Sequence, residues 1–233
     1  MKTCHGALIA AAILSAVAGP AALAQTAGTQ SAYAVTYITV APSAAAEAEA
    51  AGLLRRVAAA SRKEAGNLRY EVLQQIDRRN QFAILEAWSD GKAFDAHGGG
   101  SAMKEFRGHL GPLRAGFYDQ RPLTGVDVGP GPSPASKDAI YVITHVDVPG
   151  QFKDQAIVMM NKLSAGSRRE PGLERYEILQ QPNRLNHFTV VDTWKDQSAL
   201  DAHDVAAGTL EFREKIGPVL GALYDDRRYK SLE

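Results

Sequence analysis

Hydrophobic and polar positions follow the same order twice along the chain, which indicates an internal repeat. Each copy begins with a segment rich in β-branched and aromatic residues, residues 33–40 in the first and 141–148 in the second, and this composition predicts a strand. Apolar residues then recur every three or four positions over residues 152–163, as in an amphipathic helix, and the first copy has an alanine-rich stretch there. We expect this helix to end near Gly66 or Gly172.

Two more strands and a second helix are predicted in each copy. In the first copy the strands are residues 68–76 and 81–88, joined by a polar turn. The second helix begins after Asp90 in one copy and Asp196 in the other, since aspartate is a good N-cap, and it ends before a Gly-Pro pair. With a short final strand, the order is β-α-β-β-α-β given twice. The predicted fold class is therefore α+β, built from two ferredoxin-like modules.

The repeat is visible residue by residue. Residues 61–121 align with residues 167–227 without a gap, and almost half of the aligned pairs are identical. The first block begins SRKEAGNLRYEVLQQ, the second begins SRREPGLERYEILQQ, and both contain DAH and EFR further on. The third strand of each copy is apolar on both faces, but its own helices can cover only one face. Pairing the two open faces would hide both, so we predict an intramolecular dimeric α+β barrel with a pocket on each side.

Two segments lie outside the repeat. Residues 122–138 are rich in Gly, Pro and Ser and predict an extended linker between a module at 33–121 and a module at 139–229. Residues 1–24 contain an apolar run shorter than the ~20 residues of a membrane span, followed by the Ala-Leu-Ala of a signal-peptidase site. We predict cleavage after Ala24 and export to the periplasm or medium. The alternative is an uncleaved N-terminal anchor.

Composition and charge exclude several classes of protein. The chain has 26 basic and 26 acidic residues, a formal net charge of zero and no cluster of Lys and Arg, which argues against a nucleic-acid or anionic-membrane partner. Its single cysteine cannot form an intramolecular disulfide or a cysteine-rich zinc site. The histidines show no close pair with metal-ligand spacing, and no glycine-rich strand-to-helix turn predicts a dinucleotide site. We expect neither a metal nor a cofactor.

The motifs resemble those of a known family. The pattern SRxExG, RYExLQQ, NxF, a strand ending in Trp, DxxAxDAH and EFR is similar to the antibiotic-biosynthesis monooxygenase (ABM) family, in particular its quinol-monooxygenase-like branch. The resemblance covers residues 33–121 and 141–227. It implies a barrel normally made by two chains and formed here by two halves of one chain. It also implies oxygenation of a small aromatic or quinol substrate by O2 without metal or flavin, the substrate's own anion reducing the oxygen.

Three functions remain open at this point. The first is an exported, cofactor-independent monooxygenase. The second is a non-catalytic barrel that binds a small aromatic metabolite, and the third is a structural role for a degenerate repeat. A further homo-oligomer is compatible with each of them. Haem degradation is not expected, because the histidine ligand of the haem-degrading branch is replaced by Arg107 and Arg213.

The candidate catalytic residues are His97 and His203, which close the two DAH motifs. Imidazole has an ordinary pKa of ~6.5, so it can remove a phenolic proton near neutral pH, which is the acid–base step that quinol oxidation requires. The alternative is a histidine that hydrogen-bonds a backbone carbonyl and fixes a helix on its strand. Both interpretations are kept.

Other paired residues are candidates for substrate binding. Two tryptophans can stack on a planar ring or fill the core, and two asparagines can bind a carbonyl or hold their own turn. Two acids on the tryptophan strand face are unusual bases or members of a buried ion pair with two arginines. In chain order these candidates are Asn80, Glu86, Trp88, Arg107, Asn186, Asp192, Trp194 and Arg213.

One difference between the copies predicts unequal pockets. The first copy has three glycines at residues 98–100, where the second has Asp-Val-Ala at residues 204–206. Three glycines cost roughly 3 kcal/mol of helix propensity relative to alanine. We therefore expect a break or a mobile lid in the first copy. His145, which aligns with Tyr37, is a second difference.

Overall fold

Eight antiparallel strands close into one barrel, and helices cover its outside. The computed structural model describes Met1 and residues 31–130 and 135–233, so the predicted signal peptide lies outside the described residues except for Met1. In chain order the elements are β1 (Ala32–Thr39), α1 (Ala44–Ser61), β2 (Asn67–Gln75), β3 (Gln81–Trp88), α2 (Gly91–Gly99), α3 (Ser101–Leu110), β4 (Asp119–Val128), β5 (Ile140–Asp147), α4 (Lys153–Ser167), β6 (Leu173–Gln181), β7 (Arg184–Trp194), α5 (Gln197–Asp204), α6 (Ala207–Ile216) and β8 (Asp225–Ser231). None of the helices in this described part is long and apolar enough to cross a membrane.

The two modules are joined by exchange of their last strands. The barrel order is β1-β3-β2-β8-β5-β7-β6-β4, so β4 lies between β1 of its own module and β6 of the other. Likewise β8 pairs with β5 and reaches β2. The predicted α+β barrel of two ferredoxin-like modules within one chain is confirmed.

The predicted linker begins too early. β4 continues to Val128, so the first part of residues 122–138 is strand; residues 131–134 lie outside the described part of the chain. The strand pairs with β1 as far as Thr124 and then with β6, with a register shift between Gly125 and Asp127. Pairing with the open edge of β6 outweighs the Gly and Pro content of the segment, since an unpaired strand edge leaves backbone groups without partners.

The second helix is broken in both copies, which corrects the expectation of a break in the first copy alone. Gly100 separates α2 from α3, and Val205 and Ala206 separate α5 from α6. Ala206 has φ −63° and ψ 142°, close to the −66° and 159° of Gly100. Since alanine adopts this extended conformation as easily as glycine, the packing of the helices on the barrel determines the break.

Local residues at the helix ends behave largely as predicted. The Asp90 and Asp196 carboxylates cap α2 and α5 by accepting backbone N–H bonds of 2.8 and 2.9 Å. The first helix of each module ends a few residues before Gly66 or Gly172, and these glycines occupy the turn that follows, with φ of 81° and 89°. A Cβ on either would lie 2.6 Å from an alanine Cβ of the next helix, so the turn requires glycine.

Buried side chains lie on both faces of the barrel sheet. One face of β3 packs beneath α1 and α3, and the same face of β7 packs beneath α4 and α6. The opposite face points into the barrel, where an apolar cluster contains Val35, Leu73, Leu85, Leu123, Ile143, Leu179, Val191 and Tyr229. The space between the sheet and the helices is therefore separate from the barrel interior in each module.

Candidate functional site

The DAH histidines lie between the sheet and the helices of their own modules. His97 is buried and stacks on Trp88, with ring centroids 4.5 Å apart, and His203 stacks on Trp194 at the same distance. In each case the imidazole Nδ1 lies within hydrogen-bond distance of a glutamate at the end of the SRxExG motif, 3.1 Å for Glu64 and 3.0 Å for Glu170. The glutamates, which were not predicted as site residues, fix one ring nitrogen and leave Nε2 for other contacts.

A buried carboxyl group lies beside each tryptophan. The Trp88 indole N–H donates to Glu86 Oε2 at 2.9 Å, and His97 Nε2 lies 3.5 Å from the same oxygen. The Trp194 N–H donates to Asp192 Oδ2 at 2.5 Å. Burial raises the pKa of Glu86 above its ordinary value and raises the pKa of Asp192 to about 7. Asp192 can therefore exchange a proton near neutral pH.

In the carboxy-terminal module Asp192 and His203 face a small, partly open cavity of about 30 Å³. A space of this size holds ~2 water molecules. Polar groups converge on it from the sheet, α5, α6 and the last strand, and burial raises the pKa of the Tyr224 hydroxyl to about 12. The polar lining residues are Thr144, Tyr176, Asp192, His203, Asp204, Thr209, Arg213, Tyr224 and Asp226.

Larger side chains occupy the same position in the amino-terminal module. At five aligned positions the amino-terminal module has the bulkier residue: Ile84 and Val190, Glu86 and Asp192, Phe94 and Leu200, Met103 and Thr209, Gln120 and Asp226. At two others it has the smaller one: Val57 and Leu163, Gly98 and Asp204. Met103 is fully buried, with its sulfur 3.8 Å from the Tyr70 hydroxyl, whereas Thr209 places its hydroxyl 3.4 Å from His203 Nε2. The linings of the two sites therefore differ, as predicted, both in side-chain volume and at Gly98, whose aligned residue Asp204 lines the carboxy-terminal cavity.

The side chains of the two predicted asparagines make structural hydrogen bonds to the backbone. The Asn80 side-chain N–H donates to the Val40 carbonyl at 3.0 Å, and Asn186 donates to Val148 at 2.6 Å. Each amide thus connects the start of the third strand to the end of the first. This is the turn interpretation, and it occupies the groups that a substrate carbonyl would need.

The predicted arginines do not form the expected ion pair with Glu86 and Asp192. Arg107 donates to the Gly98 carbonyl at 2.5 Å, and Arg213 donates to the carbonyl and carboxylate of Asp204. Both guanidinium groups therefore bridge the helix break, where the free carbonyls at the end of the preceding helix attract a cation. Arg213 lines the cavity as well.

The barrel interior contains a charged network that was not among the predicted site residues. Arg69 on β2 makes two hydrogen bonds to Glu177 on β6, of 2.7 and 2.8 Å, and Arg175 on β6 makes two to Glu71 on β2, of 3.1 and 2.8 Å. The Tyr141 hydroxyl donates to Glu71 at 3.3 Å. The RYE motifs of the two copies thus pair across the barrel and connect its halves.

The barrel interior also contains the predicted difference between Tyr37 and His145. The Tyr37 hydroxyl lies 2.8 Å from His145 Nε2, and the guanidinium groups of Arg121 and Arg227 lie over the tyrosine ring. Burial and the two arginines lower the pKa of His145 to about 4. This imidazole is therefore neutral at physiological pH and lies apart from the cavity.

The family is decided by the sequence itself. The model of the family described as antibiotic biosynthesis monooxygenase matches residues 31–108 and 139–215, which is more than half of the chain. The chain belongs to the antibiotic biosynthesis monooxygenase family. The two matches fall on the two modules, so this ABM protein is a tandem duplication, as predicted. No curated protein matches its sequence.

Solved structures share the complete two-module fold. A candidate monooxygenase of Fusobacterium nucleatum has a TM-score of 0.79 at 14% identity, covering 88% of this chain and 94% of its own. A candidate monooxygenase of Lactobacillus acidophilus has 0.72 at 15%, covering 88% and 95%, and a protein described as anthrone oxidase-like has 0.66 at 13%, covering 88% and 92%. At these identities the likeness establishes the fold of this ABM protein, not its substrate.

No group of three or more His, Cys, Asp and Glu side chains within the described ranges is arranged to hold a metal ion. The acids beside the two histidines have other partners. Glu86 accepts from Trp88 and Gln120, while Asp192 accepts from Trp194. The cavity of the carboxy-terminal module is therefore lined by a carboxyl group of near-neutral pKa, Asp192, by the His203 imidazole and by the Tyr224 hydroxyl.

Proposed function

We propose that this ABM protein is an exported monooxygenase that oxidises a small phenol or quinol with O2, without a cofactor, at the cavity of the carboxy-terminal module. Because the cavity as it stands holds only ~2 water molecules, its walls have to move apart to admit the ring. The observation that carries the proposal is the convergence of Asp192, His203 and Tyr224 on that cavity. A buried carboxylate whose pKa is near 7 is a suitable base for a phenolic proton at neutral pH. The amino-terminal module, with bulkier side chains, serves as the structural half of the barrel.

The reaction follows from the chemistry of a phenolate. Removal of the phenolic proton gives an electron-rich ring that reduces O2, and a carbon–oxygen bond forms at a ring C–H, para to the hydroxyl in a phenol and ortho to it in a quinol, whose product is a hydroxyquinone. Loss of the C–H proton and cleavage of the O–O bond then release water and leave the quinone. The phenol supplies four electrons, one oxygen atom enters the ring and the other leaves as water. The protein is required to take the proton and to exclude bulk water.

Asp192 and His203 have different roles in this scheme. Asp192 Oδ2 accepts from Trp194, so its other oxygen is the proton acceptor toward the cavity. His203 Nδ1 lies 3.0 Å from Glu170, the ring stacks on Trp194, and the Thr209 hydroxyl lies 3.3 and 3.4 Å from its two nitrogens. In this scheme the imidazole positions the phenol and stabilises the phenolate. The prediction that the histidine is the base stays untested, and the proposal gives that role to Asp192.

The proposal is tested by oxygen consumption with reduced naphthoquinols, anthrols and anthrone, corrected for autoxidation. In the wild type we expect uptake with a hydroxyquinone product from the naphthoquinols and a quinone product from the anthrols and anthrone. We expect an at least hundredfold lower rate in His203→Ala. The matched variant His97→Ala removes the same imidazole–indole stack from the other module, so it measures the structural cost alone and retains most of the uptake. Equal loss in both variants contradicts the assignment to the carboxy-terminal cavity. Saturable binding of the quinols without uptake indicates a binding barrel instead.

Export is a separate proposal based on residues 1–24, whose apolar run and Ala-Leu-Ala ending are typical of a signal peptide. We expect the protein recovered from the periplasm or medium of an expressing Gram-negative host to begin at Gln25. Edman sequencing or intact mass of that fraction measures the first residue. A protein that begins at Met1 and sediments with membranes indicates an uncleaved anchor and contradicts cleavage.

A further inference from the structure

A surface groove lies directly outside the carboxy-terminal cavity, between α4 and α6. Its volume is about 220 Å³, and its lining combines the apolar side chains of Met159, Leu163 and Phe212 with charged ones. Among the charged ones, Lys162 on α4 donates to Glu211 on α6 at 2.6 Å, an exposed ion pair that joins the two walls. Leu163 and Phe212 also line the cavity, so these two side chains form the partition between groove and cavity. Glu170 lines the groove and binds His203, which lines the cavity. The two spaces are separated by side chains alone.

Glycines on both walls make this groove a slot. Gly166 on α4 and Gly208 on α6 line it, and a Cβ added to either would meet no atom within 4 Å. The aligned residues of the amino-terminal module are Ala60 and Ala102, and the groove between α1 and α3 is smaller, about 140 Å³. The wider slot therefore belongs to the module with the smaller cavity-lining side chains.

The start of α6 is the element best placed to move. The helix follows the break at Val205 and Ala206, its N-cap makes no side-chain hydrogen bond, and Gly208 lies in its first turn. Uncapped, exposed helix ends open at low free energy compared with the core. Thr209 in the same turn lines the cavity, so opening of this turn enlarges the passage beside Phe212.

We propose that the slot between α4 and α6 is the entrance through which a planar aromatic substrate reaches the carboxy-terminal cavity, with Phe212 moving aside. The identity of the substrate rests on the proposed function, but the route does not. A flat ring is the shape that fits between two glycine-lined walls. Contact with the apolar side chains of the slot removes water from the ring before its hydroxyl reaches Asp192.

The route is measured without turnover, by the reaction of a buried thiol. Cys4 is the only cysteine in the chain, so Cys4→Ser gives a background without thiols. Thr144 lies on the sheet floor of the cavity and is 4% exposed, and Thr144→Cys places one thiol there. The probe is 4,4′-dithiodipyridine, a planar aromatic disulfide. The thiolate attacks one sulfur, a mixed disulfide forms, and the released thiopyridone is followed by absorbance.

We expect Gly208→Leu to slow this labelling at least tenfold, because the added side chain fills the slot. Gly166→Leu blocks the slot from the opposite wall and has the same expected effect. Ala102→Leu, at the position aligned with Gly208, controls for surface hydrophobicity and leaves the rate within twofold. Urea unfolding identifies any variant whose labelling reflects lost stability.

Unchanged labelling in both leucine variants overturns the entrance, because the reagent then reaches the thiol by another path or by unfolding. Equal slowing by Ala102→Leu also overturns it. Slowing by the two slot variants alone supports it. Oxygen uptake is not part of the readout, so slowed labelling in a chain without quinol oxidation contradicts the proposed function and leaves the entrance in place.

Discussion

Arg175→Met is expected to lower the free energy of unfolding by about 3–5 kcal/mol, because it leaves the Glu71 carboxylate buried without its guanidinium partner. The side chains of Arg175 and Glu71 are 2% and 7% exposed, and two hydrogen bonds join them. The contacts that remain to Glu71 are long, 3.3 Å from the Tyr141 hydroxyl and 3.5 Å from Arg69 Nε, so they compensate only partly for the lost bidentate pair. Urea unfolding measured by tryptophan fluorescence gives the change.

Two variants separate the burial of the charge from the loss of side-chain packing. Arg175→Met combined with Glu71→Leu removes the stranded carboxylate, so we expect it to recover much of the lost stability. Arg79→Met breaks an ion pair with Glu47 in which the arginine side chain is 75% exposed, and its expected cost is below about 1 kcal/mol. A cost for Arg175→Met no larger than that for Arg79→Met contradicts the argument.

The network also determines how the halves meet. Arg69 and Glu71 lie on β2, Arg175 and Glu177 lie on β6, and each bidentate pair joins one module to the other. A shift of β2 relative to β6 would separate the guanidinium groups from the carboxylates. An apolar interior has no such directional requirement, so we infer that the network favours this pairing of the modules over others.

The spacing of apolar residues, together with the residues typical of turns and helix ends, was sufficient to predict most of the fold. The third strand of the first module was predicted at the residues where it lies, and Asp90 and Asp196 cap their helices as expected. The barrel followed from a single physical argument, that a strand apolar on both faces requires cover on both. The end of the first module was missed, because Pro and Gly in residues 122–128 favour a loop until another strand edge offers hydrogen bonds.

The partners of polar side chains were harder to predict than the elements that carry them. The alternation of a strand does place Arg69 and Glu71 on the face opposite Tyr70, so the RYE motif contained a signal for a buried charged pair. Arg107 gave no such signal, since its partner is a backbone carbonyl exposed by a helix break. The difference between the two sites depends on small differences in side-chain size at aligned positions. Their effect can be judged only when the structure shows which residues line the cavity.

Asp192→Asn is expected to make the protein more stable at pH 8 and nearly inactive. Burial raises the pKa of Asp192 from the ordinary 3.8 to about 7, so between these values the folded protein holds a proton that the unfolded chain has lost. Stability of the wild type therefore falls as pH rises from about 4 to about 7, and stays lower above that range. Each pH unit corresponds to ~1.4 kcal/mol, which gives a cost of roughly 4 kcal/mol at pH 8.

Asparagine avoids this cost because it stays neutral and still accepts the Trp194 hydrogen bond. Urea unfolding from pH 4.5 to 8.5 should show the wild type losing more stability with rising pH than the variant, whose remaining loss comes from Glu86, the other buried carboxyl group with a raised pKa. Oxygen uptake by the wild type should rise as pH passes about 7, where the carboxyl ionises, and the variant should lose at least a hundredfold.

The matched change Glu86→Gln distinguishes a catalytic carboxylate from a merely buried one. Burial raises the pKa of Glu86 too, so the glutamine variant should also gain stability at high pH. Glu86 lies in the amino-terminal module, where Met103 is buried at the position aligned with Thr209. The substitution should therefore leave quinol oxidation largely intact. We expect both variants to gain stability but only Asp192→Asn to lose oxygen uptake. That result identifies Asp192 as a catalytic carboxylate, whose buried charge is unfavourable for stability but required for activity. Loss of uptake in both variants, or in neither, refutes that role.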